Sequence, residues 1–243
     1  HRPYRRREVE TVLNVETVLD RATHQTLFEL NNRRLEYQGK TVLDNLSLTI
    51  ERGERVALVG GSGAGKSTLL KALREQSPNQ VAWCPQQPGL VPMLSAFHNI
   101  YMGALDRHSF LYNLGNLIKP MPAARAEISQ IARSIDLEMQ LFSSVDKLSG
   151  GQQQRASIGR ALIQRRAVFI GDEPVANVDE YQAERLLKLI CQQHQTVVLA
   201  LHDIEQALQF CTRIIGLKDG AIALDAASDQ LSASDLAGLY DAA

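Results

Sequence analysis

In 243 residues, 26 Lys and Arg balance 27 Asp and Glu, and 44% of positions are hydrophobic. The net charge of −1 gives no argument for a nucleic-acid surface, and the length suits one large α/β domain or two small ones around a substantial core. No apolar run approaches the ~18 residues of a membrane span, and no signal-peptide core opens the chain. Cys84, Cys191 and Cys211 form no C-x-x-C pair, so the simple expectation is a cytosolic protein with reduced thiols. If such a chain works at a membrane, another chain supplies the span.

Residues 1–26 differ from the rest. Arg2, Arg5, Arg6 and Arg7 make a basic opening, followed by Val-Glu-Thr-Val-Leu at 9–13 and again at 15–19. That six-residue repeat fits neither a 3.5 nor a 3.6 period, which argues against a coiled coil. The plain reading is a loosely ordered extension; the sharper one is a basic anchor on a membrane surface or a partner. The domain proper is expected over 27–243. A strand-like pattern runs over 27–37, turns at Gln38-Gly39-Lys40, and resumes from Leu46 to Ile50. Val56-Ala57-Leu58-Val59 reads as a buried strand, and Leu69-Leu70-Lys71-Ala72-Leu73 as the start of a helix. A short strand over 80–84 enters the proline-rich loop 85–92. The stretch 93–135 reads as mostly helical, interrupted by Pro120 and Pro122, with Ala124, Ile128, Ile131 and Ile135 on one face. A helix carrying Ile158, Ala161 and Leu162 follows. Then come buried strands at 167–170 and 196–200 with a helix over 180–192 between them, a hairpin at Lys218-Asp219-Gly220, and a helical end at 234–240. Apolar strands alternating with helices predict a parallel sheet covered on both faces.

Between the first buried strand and its helix lies Gly60-Gly61-Ser62-Gly63-Ala64-Gly65-Lys66-Ser67-Thr68, a full match to G-x-x-x-x-G-K-[ST] in the context that makes the pattern a phosphate site. Glycines let the backbone approach oxyanions, and successive N–H groups at the helix start point at them. Lys66 is expected on the β- and γ-phosphates and the Ser67 hydroxyl on Mg²⁺. Asp172 and Glu173 end a fully apolar strand, at the edge of an open α/β sheet where ligands bind. Asp172 is therefore placed to hold Mg²⁺ and Glu173 to activate water, in preference to a plain helix-capping role. His202 ends the next strand; chemistry alone leaves a γ-phosphate sensor and a structural histidine equally open. Gln86, in a strand-fed loop, suits a Mg²⁺ or water ligand but on composition is merely a polar loop residue. Ser149-Gly150-Gly151 before a helix is either a second anion-binding helix start, completing a neighbouring copy's site, or an N-cap with a flexible lead-in.

The stretch Leu148-Ser149-Gly150-Gly151-Gln152-Gln153-Gln154-Arg155 resembles the signature sequence of ATP-binding cassette (ABC) proteins, and the order of the pieces is that of an ABC transporter ATPase. The resemblance covers about 27–240. It implies that Tyr37 stacks on adenine, that 60–68 is the Walker A loop, and that Gln86 is the Q-loop glutamine. It further implies that Asp172 and Glu173 are the Walker B pair, that 176–179 with Asp179 is the D-loop, and that His202 is the switch histidine. The implied fold is α/β, a P-loop NTPase with a RecA-like parallel-sheet core, an antiparallel β-subdomain and a helical subdomain at about 90–160. The short stretch from Lys66 to Gln86 holds one helix and one strand where the family usually adds two antiparallel strands, so the smaller sheet is expected to be reduced. Two copies facing head to tail, each ATP lying between Lys66 of one and Ser149 of the other, are implied with Mg²⁺. So are transmembrane permease subunits, an indirect solute-binding partner, and a peripheral place on the cytoplasmic face of the inner membrane. The loop from Pro88 to Ser95, Gly103-Ala104-Leu105, Gln152-Gln153-Gln154 and the ending at Leu239-Tyr240 resemble ATPases of phosphonate and phosphite importers. The alternatives are an ABC ATPase that remodels macromolecules without transport, and a degenerate binding module with weak hydrolysis.

Overall fold

The computed structural model describes residues 25–240; the arginine-rich opening and the six-residue repeat lie outside the described residues. Strands β1 (Thr26–Tyr37) and β2 (Lys40–Glu51) pair antiparallel in a two-stranded sheet of their own. A second, six-stranded sheet is built from β3 (Arg55–Val59), β4 (Val81–Cys84), β5 (Val168–Asp172), β6 (Thr196–Ala200), β7 (Arg213–Lys218) and β8 (Ala221–Ala227), in the order β4-β5-β6-β3-β7-β8. Every pairing in it is parallel except β7 with β8, so the sheet expected to be parallel is mixed at one edge. The β7–β8 turn carries Asp219 at φ 50° and Gly220 at φ 77°, the left-handed pair that a tight two-residue hairpin needs.

The helices are α1 (Lys66–Gln76), α2 (Ala96–Tyr101), α3 (Phe110–Ile118), α4 (Pro122–Ser134), α5 (Gly150–Leu162), α6 (Glu180–Gln193), α7 (Ile204–Phe210) and α8 (Ala233–Ala237). Pro122, expected to interrupt a helix, instead opens α4 at its first turn, where a missing N–H costs nothing. The predicted α4 face is buried at Ala124, Ile128 and, just past the helix, Ile135, with Ala132 added and Ile131 only partly covered.

The buried strands lack an apolar–polar alternation because both faces of the sheet are covered, and the period of two instead sorts their side chains between two cores. Ala57, Val59, Phe169, Val197 and Leu199 face the core built with α2, α4, α5 and α6. Val56, Leu58, Val168, Ile170, Val198 and Ala200 face the core closed by α1 and the β1–β2 sheet. Arg213 ties the small sheet to the large one: it donates to the Thr49 carbonyl at 2.9 Å and pairs with Glu54 at 3.0 Å and Asp225 at 2.7 Å. Only α1 and β4 fill the stretch from Lys66 to Gln86, as its length requires. No helix among the described residues is long and apolar enough to cross a membrane.

One buried group makes stability pH-dependent. His194 is 6% exposed, packs on Phe169 with ring centroids 5.0 Å apart, and sets Nδ1 2.9 Å from the Ile190 carbonyl. Burial holds its pKa below the ordinary 6.5, so the unfolded chain binds a proton that the folded chain refuses. Stability then rises with pH through that window and is lost as pH falls below the unfolded value. The melting temperature is expected to fall between about pH 7 and pH 5, and His194→Gln to flatten that slope; an unchanged slope in the variant would assign the effect elsewhere.

Candidate active site

Parallel strands in register bring their C-terminal ends to one edge, and four consecutive strands of the sheet each deliver one piece there. Cys84 pairs with Gly171, Asp172 with Ala200, and Leu58 with Ala200. Gln86 therefore leaves β4, Asp172 and Glu173 end β5, His202 follows β6, and the phosphate loop follows β3, all side by side. An open cleft of about 500 Å³ forms at this edge, lined by Tyr37, residues 62–68, Lys71, Trp83, Gln86, Asp172 and Glu173 among others. Its size falls within the range of small-molecule sites.

In the glycine-rich loop 60–68, Gly60, Gly63 and Gly65 all take positive φ. Gly65 sits at φ 102°, and a Cβ there would lie 2.8 Å from the Leu43 side chain. As N-cap of α1 it offers no side-chain cap, so the first N–H groups of the helix are left to an anion. The helices starting at Gly150, Glu180 and Ile204 are capped by the side chains of Ser149, Asp179 and Asp203. Lys66 is 6% exposed, and Nζ donates to the carbonyls of its own loop, Gly60 at 2.6 Å and Gly61 at 3.1 Å. Burial lowers its pKa, opposed by Glu173 and Asp172.

Asp172 is 3% exposed, and among the described residues its Oδ1 has no hydrogen-bond partner. Burial raises its pKa, while the Ser67 hydroxyl, bonded to the carboxylate, pulls it down. A buried, unsatisfied carboxylate oxygen beside a hydroxyl is an oxygen donor pair that fits a hard cation, with Gln86 lining the same cleft, and Mg²⁺ requires few protein ligands when phosphates supply the others. The next residue, Glu173, is strained: its φ is 50°, in the left-handed region that a non-glycine residue occupies at a cost of roughly 1–3 kcal/mol. Several bonds over-determine it. Its N–H donates to the Ala200 carbonyl at 3.1 Å, and its carbonyl accepts from Gln154 Nε2 at 3.4 Å. Gln86 Nε2 donates to Glu173 Oε2 at 3.1 Å, and His202 Nε2 lies 2.6 Å from Oε1. One carboxylate is thus held between the amide and the imidazole that sequence reasoning named separately. Glu173 also forms the wall between the nucleotide-sized cleft and a second cavity lined by Ala176, Val178, His202 and Asp203.

Tyr37 stands at the mouth of the cleft, 52% exposed, with Lys71 Nζ 5.5 Å from its ring centre. Ser149, Gly150, Gly151 and Asp179 do not line that cleft. Ser149 caps α5 in a capping box with Gln152, and a Cβ on Gly151 would lie 2.7 Å from the Asn177 carbonyl, so α5 rests directly on the loop that follows Glu173. The sequence marks Gln154 only as part of the Leu148–Arg155 stretch and does not reveal its contact: it is fully buried and donates to the Pro174 carbonyl at 2.8 Å. Sequence reasoning gave no role to Arg160, whose guanidinium donates to the carbonyls of Pro88 and Gly89 in the loop after Gln86. These two side chains fasten one helix to both loops that carry Glu173 and Gln86. Their only local signal is a polar residue on a helix whose neighbours Ala156, Ile158 and Ala161 are core.

Comparison with known proteins follows the same lines. A family model described as ABC transporter matches residues 43–80 and 74–176. A phosphite import ATP-binding protein of Stutzerimonas stutzeri is 37% identical over 231 residues, spanning 83% of this chain and 82% of its own length. A phosphonates import ATP-binding protein of Frankia casuarinae is 36% identical over 79% of this chain and 87% of its own. A dimeric ATP-binding cassette solved in a post-hydrolysis state with ADP and phosphate superposes with a TM-score of 0.70 at 26% identity, over 82% of this chain and 98% of that one.

Proposed function

This chain belongs to the ABC transporter family, and on that premise we propose that it is the ATPase of an importer for a phosphonate, phosphite or related phosphorus oxyanion. That it is an ABC ATPase, the ATP-binding subunit of an importer, follows from the match to relatives of that name over most of both chains. The substrate class rests on those relatives' names at 36–37% identity and is the finer part of the reading. The observation that carries the chemistry is the Glu173 carboxylate held by Gln86 and His202 beside a side-chain-uncapped phosphate-loop helix.

Lys66 exchanges its two loop carbonyls for the β- and γ-phosphates of ATP, a stronger, charge-assisted pairing. Tyr37 offers a ring for the adenine, and residues 60–68 offer backbone N–H groups to the phosphates. A bound Mg²⁺ would neutralise phosphate charge, held by Ser67, Asp172 and the carbonyl end of Gln86. Glu173 accepts the proton of the attacking water, and His202 keeps the carboxylate aimed. Ser149 caps the helix that Gly150 and Gly151 open, and all three lie outside their own chain's cleft, which supports their completing the site of a second copy facing head to tail. Asp179 follows the Asn177–Val178 loop on which Gly151 packs, and joins that interface in this reading. Phe110, Leu111 and Ile118 of α3, 77%, 77% and 81% exposed, offer an apolar face of the kind a permease subunit covers. The solute-binding protein acts on that permease, and the ATPase sits peripherally at the cytoplasmic face of the inner membrane.

Deletion in a host without a second importer of this kind is expected to abolish growth on phosphite or a simple phosphonate as sole phosphorus source while leaving growth on phosphate intact. Normal growth on all of these would remove the substrate class and leave the ATPase standing. A membrane protein co-purifying with the chain identifies the permease.

A further inference from the structure

The last described turn of the chain packs back onto the start of the phosphate loop, and we infer that Tyr240 is a positioning residue joining that loop to His202. After α8, the Leu239 carbonyl accepts from the Gly61 N–H at 3.3 Å, and the Gly238 carbonyl accepts from Lys218 Nζ at 2.8 Å. The Leu239 side chain seats on β7 where Gly216 lacks one; a Cβ at Gly216 would lie 2.5 Å from Leu239 Cδ1. On its other flank the loop start is equally confined: Gly60 has φ 141°, and a Cβ there would lie 2.3 Å from the Leu217 carbonyl oxygen. The first two glycines of the loop are thus wedged between β7 and the C-terminal turn.

Tyr240 completes this wedge. Its hydroxyl donates to the His202 carbonyl at 3.4 Å, while the residue before it holds the Gly61 N–H. The Leu239–Tyr240 turn therefore joins the second glycine of the phosphate loop, through a carbonyl, to the backbone of the histidine whose Nε2 is 2.6 Å from Glu173, through a hydroxyl. Tyr240 is not among the residues lining the nucleotide cleft, so it acts through its neighbours and touches no reacting atom. A shift of Gly61 when the loop closes on phosphate reaches His202 through this turn and its hydroxyl, and the imidazole aims Glu173 accordingly. The inference rests on the reading of His202 as the residue that orients Glu173.

Tyr240→Phe keeps the ring and removes only the bridge. The expected result is a fall in kcat of about three- to tenfold, the worth of one ordinary hydrogen bond, with ATP affinity unchanged. The imidazole NMR resonance of His202, assigned by its loss in His202→Ala, is expected to move while that of His194 stays. Full turnover with an unmoved His202 resonance overturns the inference, as does a loss of ATP affinity that matches the loss of rate. His202→Ala is measured alongside. If that variant hydrolyses ATP at the parent rate, it is the orienting role of His202 that fails, and the bridge loses its purpose with it.

Discussion

Glu173→Gln is expected to lower ATP turnover by about 10²–10⁴-fold, the range in which a positioned general base contributes, while ATP still binds. The substitution is isosteric and keeps an acceptor for Gln86, whose Nε2 lies 3.1 Å from Oε2. Facing His202 at 2.6 Å, an amide N–H replaces a carboxylate oxygen, and the imidazole meets it with its unprotonated nitrogen. The backbone strain at φ 50° is carried by bonds to the Ala200 carbonyl and from Gln154, neither of which involves the side chain, so the fold is preserved. Binding without hydrolysis is expected to accumulate an ATP-bound, head-to-tail dimer, visible by size-exclusion chromatography with ATP and absent with ADP. Turnover at the parent rate with a monomer under all conditions would sink the assignment of Glu173 as base.

Lys66→Ala is expected to weaken ATP binding by roughly 10- to 150-fold, as loss of a charge-assisted contact to phosphate implies, and to lower turnover as well. The melting temperature changes far less. Removing the side chain strands the Gly60 and Gly61 carbonyls, but it also removes a buried ammonium whose pKa desolvation already lowers. The two effects oppose each other on stability, whereas only one of them acts on affinity. Titration with a fluorescent ATP analogue beside a thermal melt separates the two. A collapse of stability with affinity intact would make Lys66 a structural residue of its own loop.

Some of this site is legible from single segments because the chemistry is local. A glycine at φ 102° with a lysine and a hydroxyl directly after it, between a buried strand and a helix, has few other uses. Asp172 and Glu173 are readable as well, since an apolar strand ending in two carboxylates sets them at the ligand edge of a parallel sheet. The short stretch from Lys66 to Gln86 has room for α1 and β4 and nothing more, so the reduced small sheet follows from chain length.

Other features arise only where distant segments meet. That Gln86 and His202 converge on the two oxygens of one carboxylate depends on β4, β5 and β6 being neighbours in the sheet, an order not written in any of them. Gln154 and Arg160 look like ordinary polar helix residues until folding sets them on the Pro174, Pro88 and Gly89 carbonyls. The mixed edge of the sheet has the same origin: a hairpin is local, but its place beside β3 is not.

By itself, then, the sequence determined which groups are available and at which ends of which elements they stand, because capping, turn geometry and strand polarity act over a few residues. Only the tertiary structure decided which groups meet at hydrogen-bond distance, which carboxylate oxygen stays unpaired, and what Tyr240 touches. Those outcomes depend on hydrogen bonds between groups far apart in the chain, such as the 38-position span from Tyr240 to His202, and the packed sheet is what brings them within reach.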